Sequence, residues 1–147
     1  MKTEYVILAL VGGAGVVVQV GINSALRHYA GQPIWATLVS FVVGTSALAV
    51  CFLASRQAWP TRTQFAGAPW WIWVGGLLGA FYVLTSVIAG PRLGAAAYLG
   101  CVITGQLVAS VLIDHFGWVG FPVHTASPGR IIGAILLLAG VALVLRY

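Results

Sequence analysis

The run GGAGVVVQVGINSALR, from Gly12 to Arg27, decides the fold class of this chain. Together with the apolar residues before it, it forms a segment of about 20 residues, the length that a membrane-spanning helix needs. Gln19 and Asn23 lie four residues apart, so a helix places both amides on one face. An unpaired amide is costly in hydrocarbon. This face therefore predicts a partner helix, a watery cavity or a ligand.

The composition of the whole chain indicates the membrane class. Of its 147 residues, 61% are hydrophobic and 6% are charged, whereas a soluble domain carries about 25% charged residues. The formal net charge is +5, but the Lys and Arg residues stand singly at the ends of apolar segments. Membrane proteins place anchors and topology signals at such positions. Binding to nucleic acid is therefore not expected.

The apolar residues form a series of five segments with short connections: residues 5–26, 34–54, 70–89, 95–113 and 131–145. Each of the first four has about 20 residues, enough to cross a hydrocarbon core about 30 Å thick. The fifth has about 15, and Arg130 and Arg146 at its ends can extend it by snorkelling. Because the connections leave no room for a soluble domain, residues 1–147 are predicted to form a single all-α domain of five transmembrane helices.

Polar side chains also share a face in the fourth segment. Gln106, Ser110 and Asp114 follow one another at intervals of four residues. A primary amide cannot satisfy itself on its own helix, so Gln19, Asn23 and Gln106 are candidates to line a substrate cavity. Hydrogen bonding between helices is the alternative. Asp114, at the end of the segment, is a candidate for proton coupling or for an interfacial cap beside His115.

Small residues mark faces of the third and fifth segments. Gly75 and Gly79 permit close approach of another helix and allow helices to rock against one another, and Tyr82 on the same face adds a ring and a hydroxyl. The fifth segment has no polar side chain between its arginines, but Gly133 and Gly140 share a face. That face is predicted to be a dimer interface, although small-residue faces are also ordinary helix-packing surfaces.

The residues needed for enzyme chemistry do not occur together. The acids are Glu4 and Asp114, and no histidine lies inside an apolar segment. The sequence contains no nucleophile with an adjacent base, no spacing typical of metal ligands and no phosphate-binding loop. We therefore expect no enzymatic activity, metal or cofactor. Cys51 and Cys101 lie in apolar runs, where cysteine acts as a small hydrophobic side chain.

The positive charges are almost balanced between the two sides of the predicted membrane domain. Five spans put the termini on opposite sides, with Lys2, Arg56, Arg62 and Arg130 on the N-terminal side and Arg27, Arg92 and Arg146 on the other. Because Lys and Arg set orientation, this weak bias predicts that the chain inserts both ways or takes its orientation from a partner. The alternative is that a small bias suffices.

Four runs of the sequence resemble the YdcZ family, the five-helix, half-size branch of the drug/metabolite transporter superfamily: GVVVQVGIN, WWIWVGGLLGAFYVLTSV, GAAAYLGCVITGQLVASVLIDHFGW and GAILLLAGVALVL. The resemblance covers essentially the whole chain and implies a multi-pass protein of the bacterial inner membrane. It also implies a functional pair of five-helix units. Because five is odd, two such units must pair antiparallel to restore the inverted symmetry of ten-helix relatives. Inverted repeats typically hold substrate near the midplane.

The chain departs from the related small multidrug exporters at one position. Those proteins exchange protons for cationic drugs with a carboxylate in the middle of the first helix, where this chain has Gln19. The departure favours a neutral polar solute such as a sugar. The sequence thus predicts a secondary transporter that works by alternating access, with substrate bound by Gln19, Asn23, Tyr82, Gln106 and Ser110. A drug exporter of the small-multidrug-resistance kind, a passive channel and a non-transporting membrane subunit are the alternatives.

Overall fold

The structure, a computed structural model, describes residues 2–146. In this range the long helices are α1 (Lys2–Ala30), α2 (Pro33–Ala54), α3 (Gly75–Leu93), α4 (Ala95–Phe116) and α5 (Pro128–Arg146). Short 3-10 helices cover Arg62–Phe65, Trp70–Val74 and Trp118–Gly120. The described chain has five helical segments long and apolar enough to cross a membrane, the third comprising Trp70–Leu93. The all-α membrane fold with five spans is confirmed. Antiparallel pairing into a ten-helix dimer stays a prediction.

Glycine and proline set the ends of the helices. The N–H of Gly31 donates to the carbonyl oxygen of Arg27 at 2.9 Å, and Pro33 opens α2. Proline suits the first turn of a helix because its missing N–H would have no partner there. Gly94, with φ of 82°, separates α3 from α4. The helices are therefore joined by connections of only a few residues at these two points.

The end of α4 is fixed by a left-handed glycine. Gly117 has φ of 64°, and a Cβ built on it would lie 2.7 Å from Cγ2 of Val123. A larger residue would be strained by this backbone conformation and would also displace the connection that crosses over it. At the start of α5, the N–H of Arg130 donates to Oγ of Ser127 at 3.4 Å, a weak N-terminal cap.

The third span differs from the sequence prediction at both ends. Trp70–Val74 is a 3-10 helix, so α3 begins only at Gly75. The helix also continues to Leu93 instead of ending at residue 89, and it includes Pro91, which was predicted to lie in a connection. Proline inside a helix leaves the carbonyl four residues earlier without its backbone donor. That carbonyl belongs to Val87, and it has another donor, described below.

Aromatic rings pack in the connection between α2 and α3. Phe52 and Trp59 meet edge to face with ring centroids 4.7 Å apart, and Phe65 lies 5.4 Å from Trp73. Trp59, Trp70 and Trp73 are exposed. Exposed tryptophans at span ends are typical of the membrane–water interface.

The chain divides into two compact units, with the boundary at the bond between Pro91 and Arg92. In unit 1, a core of Ala36, Val83 and Val87 joins α2 to α3, and Leu26, Phe41 and Tyr82 pack against it. In unit 2, α4 packs on α5, where a Cβ on Gly100 would lie 3.1 Å from Val141. The prediction of a single five-helix domain is not tested by this division and stays a prediction.

Candidate functional site

The amide of Asn23 is buried at the packed end of unit 1. Val20 lies on the face of α1 that meets α3, and Asn23 follows it three residues later; 4% and 3% of their surfaces are exposed. A Cβ on Gly90 would lie 2.9 Å from Cγ1 of Val20, so glycine is what allows α1 and α3 to approach here. Nδ2 of Asn23 has no hydrogen-bond partner among the described residues. Such a group costs about 1–3 kcal/mol when it stays unpaired.

Gln19 lies one turn before Asn23, where the packed part of α1 ends. The helix rotates about 40° between the two positions, which places Gln19 at the edge of the packed face. Its side chain is exposed, as are residues 3–15 before it. Of the two amides on the predicted face, one is therefore enclosed and the other is open. An open amide at this depth of a span favours a cavity, a ligand or a second chain over lipid.

Tyr82, on α3, belongs to the same unit as Asn23. It is partly buried and packs against the core of Ala36, Val83 and Val87. Asn23 lies one turn before Arg27 on α1, and Arg27 contacts the main chain of Val87. Asn23 and Tyr82 thus both belong to unit 1, and their shared role in a substrate site stays a prediction.

The polar face predicted on α4 divides into two parts. Ser110 and Asp114 line a cavity toward α5, together with Leu107 and Val111, whereas Gln106 is exposed outside it. Oγ of Ser110 donates to the carbonyl of Leu107 at 2.9 Å and is satisfied by its own helix. The predicted position of Gln106 and Ser110 opposite Gln19 and Asn23 is not tested and stays a prediction.

Asp114 lies in the last turn of α4 and forms an ion pair. Its Oδ2 accepts from Nη1 of Arg130 at 3.0 Å, and its main-chain oxygen accepts from the N–H of His124 at 2.8 Å. The N–H of Ala126 donates to Nδ1 of His115 at 3.2 Å. These contacts fasten the start of α5 to the end of α4. Asp114 thus takes part in the contacts between the end of α4 and the start of α5, and its suggested role in proton coupling stays a prediction.

The predicted glycine faces have different surroundings. A Cβ on Gly79 would make an ordinary contact of 3.7 Å with the ring of Phe41, so this glycine faces α2. Around Gly75, Gly133 and Gly140, no described atom beyond the local backbone of the same helix lies within 4 Å of such a Cβ. Gly140 is thus open to an approaching helix, whereas the space beside Gly133 includes the cavity between α4 and α5; pairing itself is not tested.

Sequence reasoning missed the contact between Arg27 and α3. Nη1 of Arg27 donates to the carbonyl oxygen of Val87 at 3.0 Å. This is the carbonyl that Pro91, four residues later in the helix, leaves without a backbone donor. Arg27 therefore supplies the hydrogen bond that proline removes and ties the end of α1 to α3. The four-residue spacing from Val87 to Pro91 is the only sequence feature that points to this contact. It indicates a carbonyl without a backbone donor only if Pro91 is known to lie inside a helix.

Two further polar groups were missed on α4. The hydroxyl of Tyr98, which is 4% exposed, and Oγ1 of Thr104 are buried and have no hydrogen-bond partner among the described residues. Their sequence signal is weak because each is a single polar residue in an apolar run. The described residues also contain no group of three or more His, Cys, Asp or Glu that could hold a metal ion.

An apolar cavity of about 300 Å³ lies between α2 and α3 in unit 1. Its walls are aliphatic and aromatic side chains together with Thr37, whose Oγ1 donates to the carbonyl of Pro33 at 2.9 Å. Because that hydroxyl is already bonded within its own helix, the cavity offers no free polar group to orient a polar solute. Its lining therefore suits an apolar ligand better than a polar solute.

Comparison with known proteins gives one consistent result. The family described as "Putative inner membrane exporter, YdcZ" matches residues 4–143. The "Inner membrane protein YdcZ" of Escherichia coli (strain K12) is 31% identical over 138 residues, covering 93% of this chain and 91% of that protein. No solved structure matches. The chain belongs to the YdcZ family and is a multi-pass protein of the bacterial inner membrane.

Proposed function

We propose that this protein is a secondary transporter that moves a small neutral polar metabolite across the inner membrane by alternating access. Export is the direction named in the description of the family. The proposal rests above all on Asn23, whose buried Nδ2 has no hydrogen-bond partner among the described residues. An amide donor in this position is satisfied when a solute brings an oxygen acceptor to it.

The charge of the spans supports a neutral solute. The two acids of the sequence are Glu4, in the first turn of α1, and Asp114, in the last turn of α4, where it is paired with Arg130. The middle of each span therefore lacks a carboxylate that could exchange a proton for a cation. Gln19 and Asn23 offer amides, and Tyr82 offers a hydroxyl, which are groups suited to hydroxyl and carbonyl oxygens.

The transporting unit in this proposal is an antiparallel homodimer of ten helices. A second copy, inverted in the membrane, would bring its own Gln19 close to that of the first copy near the midplane. Gln106 of each copy would add an amide from α4. The exposure of Gln19 and the open surroundings of Gly140 on α5 support this arrangement.

Flux measurements on Asn23→Leu test the substrate role. Leucine is similar in size and removes the unpaired donor, so we expect a melting temperature equal to or above that of the wild type. Transport in liposomes should fall by at least about tenfold, equivalent to roughly 1.4 kcal/mol at the binding step. The substrate would first be found by screening sugars, amino acids, guanidinium compounds and quaternary amines.

Thr37→Val is the matched control for this experiment. Thr37 is also buried and polar, but its hydroxyl is bonded to its own helix, and valine has nearly the same shape. Transport by this variant should stay within about twofold of the wild type. An Asn23→Leu protein that transports normally but melts at a lower temperature would show that Asn23 only joins helices, and the substrate role would be abandoned.

A further inference from the structure

Unit 2 contains a cavity that is lined by none of Gln19, Asn23 and Tyr82, the unit 1 residues used in the transport proposal. It has a volume of about 360 Å³ and lies between α4 and α5. Apolar side chains form most of its walls, Ser110 and Gly133 complete them, and the ion pair of Asp114 and Arg130 lies at one end. The cavity is therefore amphipathic: long apolar walls lead to a positive and a negative group placed side by side.

The ion pair retains capacity for further hydrogen bonds. A single contact of 3.0 Å joins Nη1 of Arg130 to Oδ2 of Asp114, and the two side chains are 41% and 28% exposed. A guanidinium has five N–H donors and a carboxylate has two oxygens. The remaining N–H groups of Arg130 can donate to an anionic group, and Oδ1 of Asp114 can accept from a cationic group. A ligand that carries both an anion and a cation would therefore suit the pair.

The position of the pair along the helices indicates the depth of such a ligand. Asp114 lies in the last turn of α4 and Arg130 in the first turn of α5, at the same end of both spans. The 22 residues of α4 measure about 33 Å, close to the thickness of the hydrocarbon core. The charges thus lie at the depth of lipid headgroups, and the apolar walls extend toward the bilayer centre.

We propose that this cavity binds one phospholipid whose headgroup carries a phosphate and a primary ammonium, that is, a phosphatidylethanolamine. Its phosphate contacts the guanidinium of Arg130, where charge-assisted bonds are strong. Its ammonium donates to the carboxylate of Asp114. One acyl chain lies along Leu107, Val111 and Leu137. The ligand is a lipid, and not a free zwitterion, because the charged end of the cavity continues into an apolar groove that a soluble headgroup would leave empty.

Lipid titrations followed by native mass spectrometry test this proposal on the purified full chain in detergent. Phosphatidylethanolamine, phosphatidylcholine and phosphatidylglycerol with identical acyl chains are compared. Phosphatidylcholine is equally zwitterionic but has no ammonium N–H, and phosphatidylglycerol has no cation. We expect phosphatidylethanolamine to bind at least about threefold more tightly than either, which corresponds to about 0.6 kcal/mol. This comparison needs no variant.

Variants then locate the site. Arg130→Gln and Asp114→Asn should each abolish the preference for phosphatidylethanolamine. Arg62→Gln, which removes the same charge from an exposed residue in the α2–α3 connection, should preserve it. Thermal melts of all three variants check that they are folded.

Either of two results would overturn the proposal. One is equal binding of the three lipids by the wild-type protein, because the headgroup would then not be recognised. The other is saturable competition by soluble phosphoethanolamine at the concentrations at which the lipid binds, because the ligand would then be a free zwitterion. The transport proposal survives both results, since it rests on Asn23 and Gln19 in unit 1.

Discussion

At the scale of single residues, the functional information lies in polar groups whose bonding is incomplete. Asn23 and Tyr98 are almost fully buried, and each has a polar atom without a hydrogen-bond partner among the described residues. Ser24, Thr37 and Ser110 lie in comparable helices but donate to their own main chain. In an apolar helix, a satisfied hydroxyl is compatible with packing alone, whereas an unpaired amide requires a further partner.

Gln19→Leu separates substrate binding from helix association. Gln19 lies about 5 Å from the centre of the first span, and its exposed side chain has room for a solute. If the amide binds substrate, leucine should reduce transport by at least about tenfold and leave the melting temperature unchanged, because leucine suits both a helix and the bilayer. If the amide instead forms a hydrogen bond between helices, its loss in the leucine variant should lower the stability by about 0.6 kcal/mol and leave transport intact. Transport assays with thermal melts distinguish the two results.

The contact of Arg27 with α3 predicts a coupling between two distant positions in the sequence. Arg27→Leu removes the donor to Val87 and should lower the free energy of unfolding by about 1 kcal/mol. In a Pro91→Ala background, the new backbone N–H can donate to that carbonyl, so the same change should cost distinctly less. Unfolding measurements on the wild type, both single variants and the double variant supply the coupling energy. Strictly additive effects would mean that Arg27 does not replace the bond that proline removes.

At the scale of the helices, hydropathy predicts that a membrane-spanning helix exists better than it predicts the residues at which the helix begins and ends. The five spans follow from long apolar runs, and the break predicted between residues 26 and 34 contains Gly31 and Pro33, which lie at the boundary between α1 and α2. Pro91 was misplaced because a long-range donor, Arg27, makes a helical proline acceptable, and sequence spacing does not reveal that donor. The polar residues of α4 were predicted to share one face. Packing against α5 places Ser110 and Asp114 in the wall of a cavity and leaves Gln106 exposed outside it. Tertiary partners, which local pattern cannot supply, account for both differences.

The glycines of α5 give a prediction at this scale. Apart from the local backbone of α5, no described atom lies within 4 Å of a Cβ on Gly133 or Gly140. Leucine at Gly140 should therefore fit within one chain but prevent another helix from approaching, whereas leucine at Gly133 would also enter the cavity between α4 and α5. We expect Gly140→Leu, and more strongly the Gly133→Leu/Gly140→Leu double variant, to insert normally and to lose most of the dimer. Cross-linking in detergent and in lipid measures this. An unchanged dimer population in the double variant would place the interface on another helix.

At the scale of the whole molecule, the balance of positive charges predicts how the protein inserts. The N-terminal side has four Lys or Arg residues and the opposite side has three, a difference small enough for both orientations to be populated. Replacing both Arg56 and Arg62 by glutamine should invert the majority orientation. Tags at both termini, probed for access in cells, report it. A single fixed orientation of the wild type that does not change in the double variant would contradict dual insertion. The charge balance would then no longer support antiparallel pairing.

The most direct test of the account is solute counterflow in liposomes that contain only the purified protein. The liposomes are loaded with an unlabelled solute, and entry of the same labelled solute is followed. Alternating access predicts transient accumulation of label above its equilibrium level, because internal solute returns the binding site to the outside. It also predicts saturation with concentration and loss of accumulation in Asn23→Leu. Flux that rises linearly with concentration and never exceeds equilibrium would identify a channel and contradict the transport mechanism proposed for this protein.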